Sequence, residues 1–182
     1  MMKLNALVDD RRITLLGVAG FAVTLVAASQ VAIPLPFTPV PITLQPLVVV
    51  LAGMMLGPVY GAASMLVYLA AGALGLPVFA PMGAPGMMRF LGPTGGYLLA
   101  YPLAAYVAGL LVQRTRTFSG RALAAGAGVL MLYVGGLAQL ALITGSITRA
   151  AVLGVLPFVA LDAVKSLVAA AVTRSPASDR AG

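Results

Sequence analysis

The chain has 182 residues, 61% of them hydrophobic and 8% charged, with a formal net charge of +7 and a mean hydropathy of +1.06. A soluble domain carries roughly 25% charged residues, so this composition is that of an integral membrane protein whose whole length fits one compact bundle. Trp, Cys, His and Glu are absent, which excludes disulfides, thiol nucleophiles and Cys/His metal sites. The positive charge does not point to nucleic acid. The basic residues fall in short gaps between apolar runs, as they do in lipid-proximal cytoplasmic loops.

Residues 1–12 read as a cytoplasmic N-terminal segment, and 13–173 as an all-α membrane domain of six spans. The first run, 13–33, is too long for a signal-peptide core and lacks a clear cleavage site, so it reads as a retained helix. The link 34–42 holds Pro34, Pro36, Pro39 and Pro41, which remove backbone donors and forbid helix. The second run, 43–56, breaks at Gly57-Pro58, and the third covers 59–74. Both are short for a full span. An irregular stretch, 75–94, precedes the fourth run, 95–112. A basic loop leads to the fifth, 122–143, and a stretch of mixed character, 144–157, to the sixth, 158–173. The polar tail 174–182 reads as a disordered cytoplasmic segment.

With the N-terminus in the cytoplasm, that side holds Lys3, Arg11, Arg12, Arg114, Arg116, Arg121, Arg174 and Arg180. The outer side holds Arg89 and Arg149. The positive-inside rule favours this orientation, with both termini cytoplasmic in a multi-pass protein of the plasma membrane. The three irregular Pro/Gly-rich stretches then share the outer side. Non-helical backbone at membrane depth must be buried or line a cavity, so these apolar loops read as a lid over an outward-facing pocket.

Asp162 and Lys165 lie three apart in the sixth run, on one helix face, and belong to its outer half, beneath the loops. Asp162 is the only acidic residue within the bundle. Each ionised group there costs about 2.5–3.5 kcal/mol on insertion scales, and such residues are usually functional. A buried ion pair without a ligand rarely improves on apolar packing. The pair and the lid therefore read as two halves of one binding site.

The segments FTPVPITLQ (37–45), GLPVFA (75–80), LGPTGGYLL (91–99) and VLPFVALDAVK (155–165) together resemble the BioY family, the biotin-specific substrate-binding components of energy-coupling-factor (ECF) transporters. The likeness runs from about residue 13 to 173. It implies a six-helix S-component fold, capture of biotin from outside, and association with a transmembrane coupling subunit and two ATPase subunits. It carries Asp162 and Lys165 into the ligand pocket, and with them the loop bearing Arg89 and, at its end, Thr94 and Tyr97. Family members dock through small residues on the first helix, commonly A-x-x-x-A. The looser stripe Gly20, Thr24, Ala28 is the candidate docking face in this chain.

Biotin needs an acceptor for its ureido N–H groups, donors for its ureido oxygen, an apolar wall and a cation for its carboxylate. Asp162 is the candidate acceptor, since a charge-assisted hydrogen bond is roughly twice as strong as a neutral one. Lys165 has donors only and suits either the ureido oxygen or the carboxylate. Arg89 can grip a carboxylate bidentately or snorkel to the outer surface. Thr94 is placed to cap the fourth helix, and Tyr97 to stack on the bicycle or donate from its hydroxyl. Gln45, Tyr68, Tyr101 and Gln139 are polar groups in apolar runs and need partners; Gln45 and Tyr68 lie nearest the proposed site. Met87 and Met88, in the lid, suit a thioether loosely. No cofactor is implied. No Walker A sequence occurs, so ATP belongs to the partner subunits. Membrane lipid is the remaining partner, nucleic acid is not one, and a homo-oligomer is compatible with the sequence. Solitary transport without the module is the alternative. An intramembrane enzyme would have only Asp162 and Lys165 to work with.

Overall fold

The computed structural model describes residues 2–173, with side chains described from Arg11 onward. The tail 174–182, including Arg174 and Arg180 of the topology count, lies outside the described residues. The chain forms α1 (Met2–Gln30), a hairpin of β1 (Ala32–Leu35) and β2 (Thr38–Thr43), then α2 (Gln45–Leu56) and α3 (Pro58–Ala73). A short 3-10 helix (Gly86–Leu91) precedes α4 (Gly95–Val112), α5 (Phe118–Thr144), α6 (Ile147–Gly154) and α7 (Val159–Val172). Six of these helices match the six expected runs, and α6 is an addition to them.

Local chemistry sets the boundaries. The break between α2 and α3 is Gly57 at φ +82°, a backbone conformation that glycine adopts without strain, followed by Pro58 at the start of α3. The fifth helix starts before its expected position because Thr117 caps it, its hydroxyl accepting from the Gly120 N–H at 3.0 Å. It stops at Gly145, which is left-handed at φ +68°, as helix ends favour. Ser146 then caps α6 by accepting from the Arg149 N–H. The stretch 144–157 is thus partly helical, not irregular.

The proline-rich link also differs from expectation. Its prolines do forbid helix, but they permit an antiparallel ribbon pairing Ala32 with Thr43, Ile33 with Ile42 and Leu35 with Thr38, with a bulge between Ile33 and Leu35. A two-stranded ribbon has only edge strands, the one place in a sheet where proline is tolerated. The hairpin is anchored to α6 by the Thr38 hydroxyl, which donates to the Leu153 carbonyl at 2.6 Å.

The fourth helix is the axis of the bundle, packing against α2, α3 and most extensively α5. Small residues make the approach close. A Cβ added to Gly53 would lie 2.7 Å from the Ala105 carbonyl carbon, and one on Gly135 would lie 2.7 Å from the Ala100 Cβ. Such small-residue contacts drive helix association in lipid, where apolar burial alone gives no preference. Leu25, Val49, Met65, Ala104 and Ala105 fill the centre and are fully buried. Outward faces carry Leu16, Val23, Leu66, Leu123 and Leu142, all exposed, as lipid contact requires.

By length and composition, α1 from Arg11, α4 and α5 can each cross a membrane, and α6 with α7, bent by 55°, would make a fourth span. At about 1.5 Å per residue, α2 and α3 extend roughly 18 and 24 Å, short of a hydrocarbon core of about 30 Å. The second helix follows directly on the hairpin, and Gln45 and Pro46 of its first turn line a cavity.

Candidate functional site

The first turns of α2, α4 and α7 converge beneath the hairpin and the α3–α4 loop. Gln45, Thr94 and Phe158, at these starts, all line one cavity. None of the three N-cap residues makes a side-chain capping bond, but at α2 the Gln45 N–H donates to the Thr43 hydroxyl at 3.3 Å and Pro46 has no N–H; the starts of α4 and α7 are the ones whose N–H groups favour negative charge. Thr94 does occupy the N-cap position, but its hydroxyl makes no capping bond, and the residue lines the cavity. The cavity and its open mouth together hold about 680 Å³ of space not filled by atoms. Phe79, Leu98, Leu132 and Phe158 give it an apolar wall.

Asp162 stands in the first turn of α7 and is 4% exposed. Lys165, one turn on, donates from Nζ to Oδ1 at 2.8 Å. Tyr133 of α5 donates from its hydroxyl to Oδ2 at 2.7 Å. Both carboxylate oxygens are thus oriented by protein donors. A carboxylate has about four lone-pair sites, so two remain for a guest. Both Asp162 and Lys165 line the cavity and belong to neither the lipid face nor a sealed core.

Arg89 comes from the last turn of the 3-10 helix. At 5% exposure it does not snorkel to the surface. Its Nη2 donates to the Ala80 carbonyl at 2.6 Å and its Nη1 to the Met82 carbonyl. Gly83, at φ +108°, lets the loop curl around the guanidinium; a Cβ there would lie 3.1 Å from Cζ. Burial pulls the guanidinium down from its ordinary range. Two of its five N–H donors are thus spent on the loop, and the guanidinium makes no other hydrogen bond among the described residues. Asp162, Lys165 and Arg89 are the charged residues lining the cavity, which leaves one surplus positive charge, a balance suited to a monoanion.

The remaining candidates divide. Tyr97 lines the cavity with its ring, while its hydroxyl donates to the Gly154 carbonyl of α6. Gln45 lines it too. Tyr68 does not: it is 1% exposed within the core and accepts from Gln45 Nε2 at 2.9 Å, so it acts behind Gln45. Met88 lines a second, outer cavity between the hairpin and the α3–α4 loop, whereas Met87 lines neither. Pro41, Arg89 and Thr94 face both cavities and mark the boundary between them. On α1, Gly20 and Thr24 face outward but Ala28 is buried, so the small stripe is split between two faces. Tyr133 and Tyr101 are lining residues that sequence reasoning did not assign to the site. A tyrosine in an apolar helix is as readily an interhelical bond as a ligand contact, and only the rotation of α4 and α5 distinguishes them.

The lid is held to the bundle by several bonds. Gln139 of α5 donates to the Phe90 and Gly92 carbonyls at 2.7 and 2.8 Å. From α1, Ser29 donates to the Val78 carbonyl at 2.7 Å and Gln30 to the Phe79 carbonyl at 3.2 Å. Phe79 and Phe90 meet edge to face at 5.6 Å. The apolar outer loop is therefore folded structure over the cavity.

The geometry has known counterparts. A probable biotin transporter BioY from Pyrococcus horikoshii is 44% identical over 131 residues, 72% of this chain and 76% of its own. The biotin transporter BioY of Thermotoga maritima is 38% identical over 150 residues, 82% of this chain and 87% of its own. That of Rhodobacter capsulatus is 40% identical over an alignment of 186 residues, covering 94% of this chain and 95% of its own. The crystal structure of the S-component for biotin from an ECF-type ABC transporter superposes with a TM-score of 0.84 at 26% identity, over 96% of this chain and 94% of that one. With the BioY family model matching residues 2–180, the chain belongs to the BioY family.

Proposed function

We propose that this chain is the membrane-embedded biotin-binding subunit of an ECF-type uptake system, taking biotin from the outer side of the plasma membrane. The observation that carries the reading is the Asp162 carboxylate, held by Lys165 and Tyr133 in an apolar cavity that Arg89 also lines. The ureido N–H groups bond Asp162, the ureido oxygen takes a donor from Lys165, and the valerate carboxylate meets Arg89. The bicycle lies against Leu98, Leu132 and Tyr97. The surplus positive charge and the starts of α4 and α7 favour the monoanion. Thr94 and Gln45 offer further polar contacts, and Tyr68 fixes Gln45.

Energy for release to the cytoplasm comes from a coupling subunit and two ATPase subunits, since this chain has no nucleotide motif. The outward stripe of Gly20 and Thr24 on α1 is the docking face; Ala28, turned inward, is not part of it. Both termini face the cytoplasm. The role is that of a carrier and not of a catalyst. The test is binding of tritiated biotin to the purified protein, followed by uptake into vesicles with and without the energising subunits. Saturable binding with module-dependent uptake is the expected result. Uptake at full rate without the module would favour solitary transport, and absence of binding would end the proposal.

A further inference from the structure

Tyr101 sits on α4 one turn below Tyr97 and lines the inner cavity. It is 4% exposed. Its ring stacks on that of Tyr68, with centroids 6.3 Å apart and planes at 25°, so the side chain is fixed in place. Its hydroxyl nevertheless makes no hydrogen bond among the described residues. The neighbouring tyrosines differ. Tyr68 accepts from Gln45, Tyr97 donates to Gly154, and Tyr133 donates to Asp162.

A buried hydroxyl without a partner is unfavourable. Phenylalanine would fill the same space and stack on Tyr68 without that penalty. The hydroxyl therefore answers to something the protein does not supply. Tyr101, Arg89, Asp162 and Lys165 all line the same cavity.

We infer that Tyr101 is a specificity-determining contact, its hydroxyl donating a hydrogen bond to the ureido oxygen of the bound ligand. This rests on the biotin reading above. A carbonyl oxygen accepts two hydrogen bonds. Lys165 supplies one while holding Asp162, and Tyr101 supplies the second. An oxygen at that position is then read as an acceptor, and a group carrying protons there is rejected.

The test compares Tyr101→Phe with wild type, using biotin and 2-iminobiotin, which bears a protonated nitrogen in place of the ureido oxygen. Biotin affinity, measured by titration calorimetry, is expected to fall about tenfold. Affinity for 2-iminobiotin is expected to hold, so the preference for biotin falls by the same factor. The ligand-free melting temperature should stay or rise, because the unpaired hydroxyl is gone. Equal losses for both ligands, unchanged biotin affinity, or a lower melting temperature would each overturn the inference and leave Tyr101 a packing residue. A wild type that binds no biotin would remove the reading beneath it as well, whereas a binding wild type matched by the variant removes this inference alone.

Discussion

The ion pair of α7 has two explanations, a ligand site or a structural staple, and removing both charges at once separates them. Lys165 Nζ and Asp162 Oδ1 are 2.8 Å apart, with side chains 12% and 6% exposed. At an effective dielectric of 20, that separation gives about 6 kcal/mol of gross attraction, most of it offset by the desolvation of two ions. Taking one partner away forfeits the attraction but leaves the other ion buried. Asp162→Asn strands the ammonium, and Lys165→Met leaves the carboxylate with Tyr133 alone. Each is expected to lower ligand-free stability by about 3 kcal/mol, roughly 6–12 °C in melting temperature for a chain of this length. The double variant buries no unpaired charge and should recover to within about 1 kcal/mol of wild type. Biotin binding should behave differently. It should be lost by at least about a hundredfold in both single variants and stay lost in the double, because the acceptor for the ureido N–H groups never returns. Thermal unfolding in detergent without ligand, and equilibrium binding of labelled biotin, measure the two quantities separately. Full binding by the double variant would refute the site assignment, and a double variant as unstable as the singles would refute the electrostatic account of the pair.

Two further outcomes test the scaffold around the site. Gln139→Leu removes both bonds to the Phe90 and Gly92 carbonyls; it should cost about 1–2 kcal/mol of stability and speed biotin release in a chase experiment more than it slows capture. Gly96→Val would drive its Cβ into the Gly135 carbonyl across the α4–α5 contact, at a cost of about 3 kcal/mol or more, visible as a large drop in melting temperature; an unchanged value would mean that the contact is not close.

Most of the bundle was legible because its signals are local. The run 95–112 is bounded by Pro93 and by Gln113-Arg114, and α4 spans Gly95–Val112. Gly57-Pro58 marks the α2–α3 break by backbone chemistry alone. The short α6 was missed because its eight residues make barely two turns, too short to be read as a span, and its apolar residues lie on one face of a segment interrupted by Thr148 and Arg149. Its one local cue was Ser146 after Gly145, a cap following a left-handed stop. The proline-rich link was read for what it excludes, helix, and a ribbon is what that exclusion leaves when both strands are edges. In the site, Asp162 and Lys165 announce themselves by charge in an apolar helix, and Arg89 by charge in an apolar loop. The tyrosines announce nothing, because their role depends on which way their helices turn. Tyr68 and Tyr101 stack on each other, yet one hydroxyl is held by Gln45 and the other is left open to the cavity. Charge in the sequence thus points to the cavity that Asp162, Lys165 and Arg89 line, but the cavity's hydrogen-bonding capacity depends on tertiary rotation. That is why a loss confined to Tyr101→Phe, with the ion pair intact, would say more about how the ligand is read than any change to the pair itself.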